Sequence, residues 1–245
     1  LEEARARAPQ VRFDTPETTP ARPDEALYGV HIVEERIADL IDYIDWTPFF
    51  HAWELKGVYP QILDHPKTGE AARELYDNAR AMLDELVTSD ALQARGVHAF
   101  FGAQSRGDDI HLYRDASCSG DAIATFCTLR QQRDRGADKP LYALADFIAP
   151  AKSGVADCLG AFAVTTGHGL DALVSRYEAD HDDYRAILCK ALADRLAEAF
   201  AEKLHERVRR LWGYGGDEAL SKTDLIRERY RGIRPAPGYP PCPDR

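Results

Sequence analysis

The sequence predicts an α+β fold, and three observations predict it. Several stretches space their apolar residues at helical intervals. Other, shorter stretches are apolar and β-branched or alternating, as strands are. The two kinds do not alternate in the regular order that builds a wound parallel sheet, so helices packed on an antiparallel sheet are expected. With 245 residues, 44% hydrophobic and 29% charged, the chain is long and apolar enough to bury a sizeable core.

The elements follow in order. Residues 1–26 (LEEARARAPQVRFDTPETTPARPDEA) are rich in Pro, Thr and charge and read as a linker, which suits a module of something larger. Residues 27–245 read as one domain. Val33, Ile37, Leu40, Ile41 and Ile44 share one helical face, which predicts a helix ending near Asp45. The next helix restarts at DWTPFF, with Thr47 as its N-cap, Pro48 in its first turn and Lys56-Gly57 as its stop. Trp46, Phe49, Phe50, Trp53 and Tyr59 concentrate aromatic rings in that segment, as a core anchor or a pocket wall. A third helix carries Ala72, Leu75, Tyr76, Ala79, Met82, Leu83 and Leu86 in phase. GVHAFFGAQ and DDIHLYRD flank a Ser-Arg-Gly turn and predict a hairpin; LYALADFIAP and CLGAFAVTTG predict two further strands. A long helical stretch spans roughly Leu170 to Leu211, broken near HDDY. A short helix from Asp224 to Arg231, capped by Thr223 and stopped by Gly232, precedes the Pro-rich close IRPAPGYPPCPDR.

Composition narrows the function. The net charge of −10 disfavours nucleic-acid binding, the one basic cluster being Arg227, Arg229, Arg231 and Arg234. No apolar run approaches the ~20 residues of a membrane span and the first residues lack a signal-peptide core, so neither a membrane nor a secretory protein is predicted. Five scattered cysteines, none in a CxxC pair, argue against a disulfide framework or a Cys-rich zinc site and point to a reducing cytoplasm. The histidines lack HxH or HExxH spacing, so no metal is expected. TTGHGLDAL imitates a dinucleotide loop, but lacks its third glycine and a following strand ending in an acid.

Three features carry candidate chemistry. Asp45, at a helix end and beside aromatics, is either a cap or a carboxylate facing a cation or donor in an aromatic pocket. On the long helix, Ile187, Asp194, Glu198 and His205 line the margin of the apolar face made by Leu188, Leu192, Leu196 and Ala199, an acidic edge suited to a cationic ligand or to solvent. In the tail, the prolines between Pro235 and Pro241 hold the backbone extended and Gly238 permits close approach. Arg234 and Tyr239 then offer a guanidinium for a carboxylate and a ring for a planar group.

With IDWTPFF, ELKGVYPQIL, LRQQ, LADFIAP, GAFAVT, HDDY, ALADRLAEAFAEKLHERVR, WGY and GIRPAPGYP in one order, the chain closely resembles the C-terminal activation domain of cobalamin-dependent methionine synthase, from about residue 28 to residue 244. The family's R-x-x-x-G-Y-P signature falls on Arg234, Gly238, Tyr239 and Pro240. The resemblance implies a helmet-shaped domain with a twisted antiparallel sheet and flanking helices, binding extended S-adenosylmethionine in a shallow groove. It implies that Asp45, Glu198, Arg234, Ala236, Gly238 and Tyr239 sit at ligand-contacting positions, and that Asp194 contacts the cobalamin-binding module. It implies a part in a cytoplasmic methyltransferase of methionine biosynthesis, which moves a methyl group from 5-methyltetrahydrofolate to homocysteine. There the domain serves reductive remethylation of cob(II)alamin, with S-adenosylmethionine as methyl donor and a flavodoxin or flavodoxin-like reductase as electron donor. No residue of this domain need be catalytic; its work is orientation. The chain departs from the family in having Cys158 followed by Leu159 where relatives carry an aromatic, and in stopping just after CPDR, which reads as a truncation at the C-terminal end. That departure leaves an alternative: a degenerate interaction module that docks on a cobalamin or flavodoxin partner without binding S-adenosylmethionine.

Overall fold

The spine of the molecule is one long strand. The computed structural model describes residues 2–9, 11, 13, 21–133, 136, 139–213 and 220–243; residues 14–20 of the expected linker, Tyr214 of the WGY motif and the last two residues lie outside them. Strand β2 (Gln93–Arg106) pairs along one edge first with β1 (Gly29–Glu35) and then with β3 (Asp109–Tyr113). Its other edge pairs with β5 (Asp157–His168), and β4 (Ala124–Cys127) extends the sheet beyond β3. Every pairing is antiparallel, and helices flank the sheet, so the α+β expectation holds. The β2–β3 hairpin turns at Gly107, whose positive φ suits glycine.

Helices α2 (Trp46–Ala52), α3 (Gly69–Ser89), α4 (Leu170–Ala179) and α5 (Asp183–Trp212) share one large core with the inner face of β1, β2 and β5. All seven in-phase residues of α3 pack into that core, Tyr76 at its margin. The aromatic segment is a core anchor: Phe49 and Phe50 are buried, and the Trp46 ring meets Phe49 and Tyr76 edge-on at 5.4 and 4.8 Å. The break between α4 and α5 falls at HDDY, where His181 takes a positive φ and Asp182 caps α5 by accepting from the Arg185 amide. Gly169, just before α4, has φ 95°, and a Cβ there would lie 2.1 Å from the Ala91 carbonyl oxygen, a packing reason for this glycine of TTGHGLDAL.

Several expectations are corrected. The face Val33–Ile44 is not one helix: Val33 lies in β1, and Ile37–Asp39 and Ile41–Tyr43 form two 3-10 turns. Cross-strand pairing with β2 wins over the helical period, and Val33, Ile37, Leu40 and Ile44 are nonetheless all buried. The N-cap of α2 is Asp45, not Thr47, and the helix ends at Ala52, before Lys56-Gly57. LYALADFIAP is no strand: Leu144–Phe147 is a 3-10 turn whose Asp146 accepts from the Ala143 amide at 2.8 Å. The short helix α6 is Lys222–Ile226, capped by Ser221, which exchanges hydrogen bonds with Asp224 in a capping box.

The first residues are fastened to the domain. Helix α1 (Glu2–Ala6) buries Ala4, and Arg5 Nε reaches Asp108 at 2.8 Å. The Leu141 amide donates to the Arg7 carbonyl at 2.9 Å, and the Trp212 indole donates to the Ala21 carbonyl at 2.8 Å. No described helix is long and apolar enough to cross a membrane.

Candidate ligand-binding site

The site is built on the C-terminal half of α5. One face of this helix, with Leu188, Leu192, Leu196, Phe200 and Leu204, is buried in the core. Residues spaced three and four apart beside it share a margin. That margin carries Asp194, Glu198, Glu202, His205 and Arg209, and the tail lies against its last turns.

Three contacts fasten the tail. Arg209 stacks over the Tyr230 ring at 4.7 Å and donates to the Arg231 carbonyl. The Tyr230 ring meets His205 edge-on at 4.7 Å, and Phe162 of β5 backs the same imidazole at 6.3 Å. Arg234 forks onto Glu202, Nη1 to Oε2 at 3.0 Å and Nη2 to Oε1 at 2.5 Å. Burial weakens the charged form of Arg234, but the bonds and charge of Glu202 outweigh it and raise the pKa. Nδ1 of His205 stands 3.5 Å from Nη1 of Arg234. Burial, then the charges of Arg234 and Arg209, push the imidazole down to about 3, so it is neutral at physiological pH. Further on, Gly238 takes φ 87°, its amide donates to the Cys242 carbonyl, and the Leu129 amide donates to the Pro241 carbonyl at 3.0 Å. The Pro-rich end is thus a docked turn, fastened to α5 at one end and to the segment after β4 at the other.

Between these fastenings runs an open groove of about 760 Å³. Ile233, Arg234, Pro235, Pro240 and Pro241 form its tail wall, and Glu228 and Tyr230 also line it. The facing wall comes from LRQQ and the 141–147 loop, where Tyr142 and Phe147 stack at 6.0 Å with exposed faces. That wall is held by Arg130, whose side chain is 3% exposed and which bonds Asp108 at 3.0 Å, both oxygens of Asp146 at 2.6 Å and the Leu141 carbonyl at 2.6 Å. Burial raises the Asp108 pKa, but the hydrogen bonds from Arg5 and Arg130 outweigh it, and the carboxyl stays ionised below its ordinary range.

The expected site residues separate into two groups. Arg234 lines the groove, half-buried, and Gly238 makes the turn beyond it; Ala236 and Tyr239 are exposed on the same tail. Glu198 is exposed one helical turn before Glu202, and Asp194 a turn earlier, where it pairs with Arg195 at 2.5 Å. Asp45 is half-buried and spends one oxygen on the Thr47 amide at 3.0 Å. It lies two residues beyond Tyr43, whose hydroxyl donates to Glu206 of α5 at 2.6 Å, so its segment lies against the same helix. None of these three lines the groove. Glu202 and Glu228 were not singled out from the sequence. Glu202 continues the Asp194–Glu198 row at the next i+4 position, a signal that was present; Glu228 carried none.

Among the described residues no group of three His, Cys, Asp or Glu side chains is gathered as a metal site, and all five cysteines are free thiols.

Residues 36–245 match the family described as vitamin B12 dependent methionine synthase, activation domain. Among solved structures, a crystal structure of the MetH reactivation domain bound to AdoHcy is similar at 51% sequence identity and a TM-score of 0.91, over 99% of this chain and 73% of that one.

Proposed function

This chain belongs to the family of vitamin B12-dependent methionine synthase activation domains, and from that premise we propose that it binds S-adenosylmethionine as a methyl donor and retains S-adenosylhomocysteine as the product. The observation that carries the proposal is the docked tail: Arg234 stands at the groove with its fork on Glu202 and further donors to offer. A ligand with one carboxylate, one ammonium and one sulfonium suits a basic tail residue beside an acidic helix margin. In this reading Arg234 receives the carboxylate, the tail at Ala236, Gly238 and Tyr239 holds the extended ligand by backbone and ring contacts, and Asp45 and Glu198 stand on its cationic side.

The chain's own part in the chemistry is binding and orientation. Cobalamin, carried by a partner module, supplies the cobalt that accepts the methyl group. Transfer needs no proton from this domain, so a held carboxylate and a fixed sulfonium are sufficient work for these residues. Asp194, 69% exposed at its side chain, is available to that cobalamin-binding module. An electron donor of the flavodoxin type completes the reductive cycle in the parent methyltransferase.

Isothermal titration of the purified chain with S-adenosylmethionine tests the reading. Saturable binding at one site per chain is expected. A folded chain that takes up no S-adenosylmethionine would overturn it.

A further inference from the structure

We propose that Glu202, with His205 behind it, is the positioning pair that fixes the Arg234 guanidinium so that its remaining edge receives the ligand carboxylate; this rests on the reading just given. A guanidinium has five N–H donors in a rigid plane. Glu202 takes the end-on pair, one from Nη1 and one from Nη2, at 3.0 and 2.5 Å. The second Nη1 proton faces Nδ1 of His205 at 3.5 Å. Nε–H and the second Nη2 proton have no acceptor among the described residues. These two donors point the same way along one edge of the plane and match a carboxylate in a second, side-on fork.

The arrangement removes the freedom an arginine ordinarily keeps. Its side chain is 21% exposed and that of Glu202 13%. Neutral His205 is wedged between Phe162 and Tyr230 and blocks rotation on the third side. Charge balance gives Glu202 a second task. A lone guanidinium in this half-buried place loses solvation, and Glu202 offsets that loss before any ligand arrives. Glu202 touches no ligand in this account; it acts through Arg234.

The test compares two ligands on the whole chain: S-adenosylhomocysteine, and 5′-methylthioadenosine, which keeps the adenosine thioether but has no amino-acid carboxylate. Glu202→Gln is expected to weaken S-adenosylhomocysteine about tenfold and to leave methylthioadenosine within about twofold, tenfold being about 1.4 kcal/mol. Glu202→Asp, which restores the charge on a shorter stem, is expected to recover part of the loss, and it carries the same comparison where the Gln variant fails to fold. Unchanged S-adenosylhomocysteine affinity in Glu202→Gln overturns the proposal. An equal loss for both ligands also overturns it, since it would mark a general structural role. If wild type binds, Arg234→Ala loses the carboxylate-dependent part and Glu202→Gln does not, the functional reading stands and only this proposal falls. No binding of either ligand by wild type overturns both.

Discussion

Arg130 and Arg234 line one groove, and each holds a carboxylate, but they are saturated to different degrees. Arg130 is sealed in: Asp108, Asp146 and the Leu141 carbonyl surround it, and Arg5 shares Asp108 from the far side. Arg234 has one carboxylate on one edge, remains 21% exposed, and sits on the tail rather than enclosed among loops. The difference separates scaffold from site. A saturated, dry arginine can only hold loops together, whereas an arginine with a defined free edge can recognise something. The LRQQ wall is therefore read as support and the tail wall as the recognising side.

That contrast can be broken or sharpened by substitution. Arg130→Ala should have a large effect on stability, about 3–5 kcal/mol, because Asp146 loses its guanidinium and Asp108 keeps only the more exposed Arg5; chemical denaturation measures it. A loss under about 1 kcal/mol would place Arg130 with ordinary surface pairs. Arg234→Ala should act on binding, weakening S-adenosylmethionine by roughly 1.5–3 kcal/mol, the scale of hydrogen bonds to a charged group; titration calorimetry measures it, and unchanged affinity sinks the tail assignment. Asp45→Ala should cost about 0.5–2 kcal/mol of stability through the lost cap of α2. A larger fall in ligand affinity than in stability would show that its second oxygen serves the site.

A pH dependence is expected from His205 as well, spread over a wide window. Its imidazole titrates at about 3 in the folded chain and near 6.5 when unfolded. The unfolded chain therefore takes up the proton first as pH falls. The stabilising contribution is complete above about pH 6.5 and is lost progressively down to about pH 3, by less than about 1.4 kcal/mol per pH unit. Melting temperatures of wild type and His205→Gln across that window check it: the variant should show the shallower slope.

Much of this architecture was legible in the sequence because burial leaves a period. The phase of Ala72 to Leu86 gave α3, the hairpin about Ser-Arg-Gly gave β2 and β3, and HDDY marked the α4–α5 break. The Val33–Ile44 face located four core residues correctly and assigned them the wrong conformation, since a strand followed by two 3-10 turns can bury the same spacing as a helix. β4 is only Ala124–Cys127, pairs on one side and is mostly exposed, so no alternation announces it. In the site, Arg234 and the acidic margin were each visible, but not that Glu202, 32 residues away, takes the fork. Such a pairing is set by how the tail folds back on α5, which no local spacing records.

The most direct measurement is a crystal structure of this chain with S-adenosylhomocysteine. The ligand carboxylate is predicted on the Nε–Nη2 edge of Arg234, about 2.7–2.9 Å away, with the Glu202 fork intact and the Arg130 network unmoved. A carboxylate bound away from Arg234, or one that displaces Glu202 from the end-on edge, would contradict the account.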